Sequence, residues 1–123
     1  MPKFQHVLTL ELNNDPELIR LYEQYHQPGG VWPEVLESIH KSGIEDMQIY
    51  RLGVLLVMVL EVNGGFSFEA KVEADRCNPK VQEWEQLMER FQRIEENKAD
   101  AGKWQVMQQI FQLNDGESEE PSP

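Results

Sequence analysis

The stretch Val54-Leu55-Leu56-Val57-Met58-Val59-Leu60 decides the fold. Seven consecutive apolar residues, with Gly53 before them and Asn63-Gly64-Gly65 closing the region, read as a strand buried on both faces. Just upstream, residues 44–51 have strand composition and Gly53 marks a turn, so the two segments form a central hairpin.

Working outward from that hairpin, residues 4–12 place Phe4, His6, Leu8, Leu10 and Leu12 on one parity and Gln5, Thr9 and Glu11 on the other, the period of a half-buried strand. Asn14-Asp15-Pro16-Glu17 then carries helix-start chemistry: a capping side chain, proline at the first helical position and a carboxylate in the first turn. Leu18, Leu21, Tyr22 and Tyr25 form the apolar face of this helix. Pro28-Gly29-Gly30 breaks it, and Trp32-Pro33-Glu34 starts another, carrying Val35, Leu36 and Ile39 before Gly43 supplies a left-handed stop.

Downstream of the hairpin, residues 66–91 read as helical. Asn78-Pro79 makes a second cap, and Val81, Trp84, Leu87, Met88 and Phe91 follow 3.6-residue spacing. A charged loop containing Gly102 leads to residues 104–113, a last strand. Its parity changes between Trp104/Val106 and Met107/Phe111/Leu113, which predicts a bulge near Gln108.

The order β, α, β, β, α, β with right-handed crossovers predicts an α+β, ferredoxin-like fold: a four-stranded antiparallel sheet with helices on one face. Such a sheet should alternate apolar and polar residues. The hairpin strand does not, so its helix-free face also needs cover, most simply a second copy's sheet and otherwise loops or the C-terminal segment. The expected organisation is one domain over residues 1–113, followed by an acidic disordered tail over residues 114–123 that has no apolar residue to drive its ordering.

Composition restricts the partners. Twenty-two acidic against eleven basic residues give a net charge of −11, which repels phosphate backbones and anionic lipid headgroups, so neither nucleic acid nor membrane is expected. The single cysteine, Cys77, forms no intrachain disulfide, and no CxxC or clustered Cys/His ligand set suggests zinc. No signal peptide or membrane-length apolar run is read, and a cytoplasmic location is expected.

Among residues able to do chemistry, Tyr22 and His26 lie four apart on one helix and share a face. An aromatic core stripe with a helix-capping histidine explains the same spacing. Trp32 and Trp84 are plates able to stack on a sugar ring or to fill a core. His6 falls on the apolar parity of the first strand, and His40 sits late in a helix where the dipole accounts for it. Cys77 has no base near it in sequence, and the paired glycines lack the spacing and lysine of a phosphate loop.

The stretch Tyr22-Glu23-Gln24-Tyr25-His26-Gln27-Pro28-Gly29-Gly30-Val31-Trp32-Pro33-Glu34-Val35-Leu36, followed by Gly43-Ile44 and Ile49-Tyr50, resembles the L-rhamnose mutarotase family. The similarity continues through Ala74-Asp75 to Trp84 and Met88, and only the acidic tail lies outside it. The resemblance implies a dimeric α/β barrel of ferredoxin-like subunits that interconverts the anomers of a 6-deoxy-L-hexose pyranose, with His26 as proton donor and Tyr22 and Trp84 as sugar-binding residues. Two positions depart from the pattern. Met47 stands where the rhamnose enzymes have a tyrosine, and Glu85 where they have a second tryptophan. Both belong to the expected substrate-binding set, and the changes suit a sugar with a different hydroxyl pattern, such as L-fucose.

Ring opening needs a base at the anomeric hydroxyl and an acid at the ring oxygen, and no cofactor or metal. Glu34, Glu85 and Asp75 are candidate bases. The alternatives are a non-catalytic sugar-binding or assembly module on the same fold, and a cofactor-free monooxygenase.

Overall fold

The computed structural model describes residues 4–93 and 104–114. The charged loop around Gly102 and all of the acidic tail beyond Asn114 lie outside the described residues. The elements run β1 (Phe4–Glu11), α1 (Pro16–Tyr25), α2 (Pro33–Lys41), β2 (Ile44–Leu52), β3 (Leu55–Val62), α3 (Phe68–Arg76), α4 (Pro79–Glu89) and β4 (Gln105–Val106).

The four strands form one antiparallel sheet in the order β2-β3-β1-β4, as the ferredoxin-like reading requires. β3 pairs along its whole length with β1, from Phe4↔Val62 to Glu11↔Leu55, and on its other edge with β2. Its apolar run therefore occupies an interior strand. Leu56, Leu60 and Val62 point under the helices and are buried together with Leu8 and Leu10 of β1 and Leu12 just after it. Val57 and Val59, on the opposite parity, face the helix-free side.

Two sequence expectations change here. The bulge lies not near Gln108 but in β2, where the register shifts between Ile44 and Asp46. That extra residue keeps Ile44, Met47 and Ile49 on the helix side, whereas an unbroken strand would have turned Asp46, Gln48 and Tyr50 inward. The expected last strand shrinks to two paired residues, Leu8↔Val106 and Thr9↔Gln105, with one further bond from the Met107 N–H to the Val7 carbonyl oxygen at 2.7 Å. Beyond it Ile110, Phe111 and Leu113 are 92%, 74% and 87% exposed, with no helix among the described residues covering them.

The single helical region is two helices. Cys77 ends α3, and the Asn78 side chain accepts from the N–H groups of Lys80 and Val81 to start α4. α4 buries Val81, Trp84 and Met88, while α3 buries nothing. α2 turns Val35 inward and leaves Leu36 exposed.

The core falls into two clusters. One joins Leu10, Leu12, Leu56 and Val35 to Tyr22, Val81, Trp84, Met88 and Phe91. The other gathers Leu8, Ile44, Leu60 and Val62, with Met47, Met58, Phe66 and Phe68 packed against it. No helix among the described residues is long and apolar enough to cross a membrane.

Candidate active site

α1 aims its C-terminus at the first cluster. Asp15 accepts hydrogen bonds from the N–H groups of Glu17 at 3.0 Å and Leu18 at 3.3 Å, and Pro16 sits at the first helical position, which fixes the helix register. At the other end His26 is the C-cap. The chain then doubles back so tightly that a Cβ on Gly30 would stand 2.4 Å from the Tyr25 carbonyl oxygen, while Gly29 takes φ +85°. The Pro28-Gly29-Gly30 break thus holds the histidine ring at the helix end and delivers Trp32 to Trp84.

Six rings meet at this point. The His26 ring lies 4.4 Å from that of Tyr22 and 5.9 Å from that of Trp84. Trp84 also takes Trp32 at 5.3 Å and Tyr25 at 6.1 Å, both near edge-on. Phe91 closes the group at 6.0 Å from Tyr22 and 5.8 Å from Tyr25. Three of the expected site residues, Tyr22, His26 and Trp84, are thereby brought together from α1 and α4.

Burial sets the protonation states. It holds the His26 imidazole below its ordinary 6.5, outweighing the opposing effect of the Tyr22 carbonyl. The carbonyl oxygen can only accept, so the 2.7 Å contact makes Nδ1–H the donor and leaves Nε2 of the neutral ring with its lone pair. Burial pushes the Tyr22 phenol up to about 12; a hydrogen bond with the Gln92 side chain opposes that rise and the Glu85 charge adds to it. Near neutral pH His26 therefore offers a lone pair on its imidazole and Tyr22 an O–H donor on its phenol.

The remaining expected residues separate. Glu85 follows Trp84 on α4, half-buried, with its charge felt at Tyr22. Met47 packs instead against the second cluster. Of the other candidate bases, Asp75 receives Lys71 Nζ at 2.7 Å on both oxygens and Ser38 Oγ at 3.0 Å, a pairing that ties α3 to α2. Glu34 is exposed in the first turn of α2. His6 packs against Phe66 and Phe68 at 5.9 and 4.9 Å, and His40 is exposed. Exposed Cys77 keeps only a 3.9 Å contact from its Sγ to Glu73. Among the described residues no group of three or more His, Cys, Asp or Glu side chains could hold a metal ion.

Sequence reasoning missed Gln92. It lies just past α4, where helical periodicity no longer assigns a face; it bridges Leu12, is buried, and opposes the rise of the Tyr22 pKa.

The family model for L-rhamnose mutarotase matches residues 5–113. An L-fucose mutarotase of Xanthomonas campestris pv. campestris is 39% identical over 110 residues, covering 89% of this chain and 88% of that protein. A Dictyostelium discoideum protein is 36% identical over 113 residues, covering 86% of each chain. The crystal structure of an L-rhamnose mutarotase from Formosa agariphila shares the fold, with a TM-score of 0.66 at 16% identity, covering 89% of this chain and 98% of the other. The match of the family model over nearly all of the described fold, together with relatives this similar, shows that the chain belongs to the L-rhamnose mutarotase family of carbohydrate isomerases.

Proposed function

We propose that the chain interconverts the α and β anomers of a 6-deoxy-L-hexose pyranose and takes L-fucose in preference to L-rhamnose. The observation that carries the chemistry is the neutral His26 ring, held through Nδ1 and set against Tyr22 and Trp84. The sugar preference is supported by the 39% identity to an L-fucose mutarotase and by the departure at Glu85, whose charge is felt at Tyr22.

In this mechanism Nε2 of His26 takes the anomeric hydroxyl proton. The C1–O5 bond breaks with its electron pair going to the ring oxygen, and the imidazolium returns the proton there. The aldehyde rotates about C1–C2, and the same steps in reverse close the ring on the other face. The donor role implied by the family resemblance is thus the second half of a relay that starts from a neutral ring. Tyr22 donates to a sugar hydroxyl, Trp84 packs on the apolar face of the ring, and Glu85 accepts from a hydroxyl while favouring the imidazolium. Positioned proton transfer of this kind contributes roughly 100-fold to 10,000-fold.

The working form is a homodimer in the cytoplasm. Support comes from the helix-free sheet face, where Tyr50, Leu52 and Leu55 are exposed beside Val57 and Val59, and from the apolar arm Ile110, Phe111 and Leu113. The free thiol of Cys77 accords with a reducing compartment.

NMR saturation transfer between anomers of L-fucose and L-rhamnose, for wild type and His26→Ala, tests the reading. Faster exchange of L-fucose by wild type, lost in the variant, is the expected result. Exchange no faster than buffer for either sugar overturns it and leaves the fold with a non-catalytic role.

A further inference from the structure

Of the four described helices, three open on a side chain that caps them. Asp15 accepts from the first turn of α1, Ser67 from that of α3 and Asn78 from that of α4. α2 opens instead on Trp32, which has no side-chain acceptor and makes no capping bond. A serine, threonine or aspartate would stabilise the helix start, so the indole occupies this position against local preference.

Its backbone is nevertheless fixed. Pro33 confines Trp32 to extended geometry, found at φ −62° and ψ 140°. The Trp32 carbonyl oxygen accepts from the N–H groups of Val35 at 3.0 Å and Leu36 at 3.1 Å. The indole therefore projects from a rigid root to 5.3 Å from the Trp84 ring, whose other ring neighbours are His26 at 5.9 Å and Tyr25 at 6.1 Å.

These rings differ in what a ligand can touch. Trp84 is 6% exposed, which leaves on the order of 10 Å² of its surface for a sugar. Tyr25 is half-buried and also closed against Phe91 at 5.8 Å. Trp32 is half-buried with a ring contact only to Trp84 among the described residues, so it is the indole with apolar surface to spare. The chemistry decides which part of the sugar meets it. His26 has to reach the anomeric hydroxyl and the ring oxygen, and the carbon that bears the 6-methyl group is bonded to that same oxygen. The methyl group is thus carried into the aromatic cluster, where Trp84 has little surface left and Trp32 has surface to offer.

We propose that Trp32 reads the 6-methyl group of the substrate, packing its indole against that group and so favouring a 6-deoxyhexose over a sugar that lacks this carbon. The assignment rests on the mutarotase reading and deepens it.

The probes are L-fucose and D-arabinose, whose pyranose matches L-fucose at every ring hydroxyl and lacks only the methyl group. Anomer exchange of both is measured with the full chain, for wild type, for Trp32→Ser, which supplies a helix cap, and for Trp32→Phe, which keeps an aromatic ring. Wild type should favour L-fucose in kcat/KM by about 4- to 10-fold, the effect of one methyl group on a partly open wall. Trp32→Ser should bring that ratio to about 1 by lowering kcat/KM for L-fucose while leaving D-arabinose within about twofold, and Trp32→Phe should keep part of the preference. A merely structural role would slow both sugars alike and leave the ratio unchanged. Exchange of neither sugar by wild type refutes the mutarotase reading and this assignment with it. With exchange present, three results overturn the assignment alone: equal kcat/KM for the two sugars in wild type, an unchanged ratio in Trp32→Ser, or failure of both variants to fold.

Discussion

Nδ1 of His26 lies 2.7 Å from the backbone carbonyl oxygen of Tyr22, the residue one helical turn earlier whose ring stacks on the imidazole at 4.4 Å. One hydrogen bond thereby chooses the tautomer and points Nε2 away from the helix, while burial keeps the ring neutral.

The pH profile follows from that neutral ring. Anomer exchange should rise with pH through a value below the ordinary imidazole 6.5 and stay flat above it, because the relay starts from the unprotonated ring. Stability moves the same way. The unfolded chain binds the proton more readily than the fold does, so stability present above 6.5 is lost as pH falls towards the depressed folded value. Exchange rates and melting between pH 4 and 8 check both, and a rate that falls with rising pH would contradict the relay.

At the alkaline end Tyr22 governs. Its folded pKa of about 12 lies above the ordinary 10.0, so stability is intact below pH 10 and is lost as pH climbs through 12. The expected loss is about 2 to 3 kcal/mol, absent in Tyr22→Phe, and denaturant titrations at pH 9 and 11.5 read it.

The two carboxylates differ in what they support. Glu85→Gln should lower the Tyr22 pKa, since the Glu85 charge raises it, and should slow exchange. Asp75→Asn should leave exchange within about twofold while weakening the Lys71 and Ser38 contacts, a loss on the order of 1 kcal/mol for a partly buried pair. Ultraviolet titration of the phenol, exchange rates and melting separate the two residues; a slow Asp75→Asn enzyme would return Asp75 to the site.

Trp84 carries both core and site. It is 6% exposed and touches Tyr25, His26 and Trp32, so Trp84→Ala should cost about 3–5 kcal/mol of stability. Trp84→Phe keeps most of that packing and should chiefly raise KM for the sugar, measured by saturation kinetics at constant protein concentration.

A charge on the helix-free face should divide the dimer. Val57 pairs with Tyr50 across the hairpin and with Thr9 on β1, in the middle of that face. Sedimentation equilibrium should give twice the chain mass for wild type and the single-chain mass for Val57→Asp; a monomeric wild type would remove the dimer from the reading.

Much of this molecule is set by local sequence. The alternation in β1, the Asp15-Pro16 and Asn78-Pro79 caps, the Gly43 stop and the seven-residue apolar strand each act over one or two turns of chain, so the order of the strands and the inward face of β1 follow from the residues alone. Spacing likewise puts Tyr22 and His26 on one helix face. The register shift that sends Met47 to the second cluster is decided by what β2 meets on β3, and the length of β4 by its pairing with Leu8 and Thr9 of β1, neither of which is encoded locally. The meeting of α1 with α4 at Trp84, and the bridge from Leu12 to Gln92, join residues some 60 to 80 positions apart. Only the tertiary structure brings them together, because burial and hydrogen bonding across the core, rather than periodicity along the chain, fix which side chains meet and which proton each one holds.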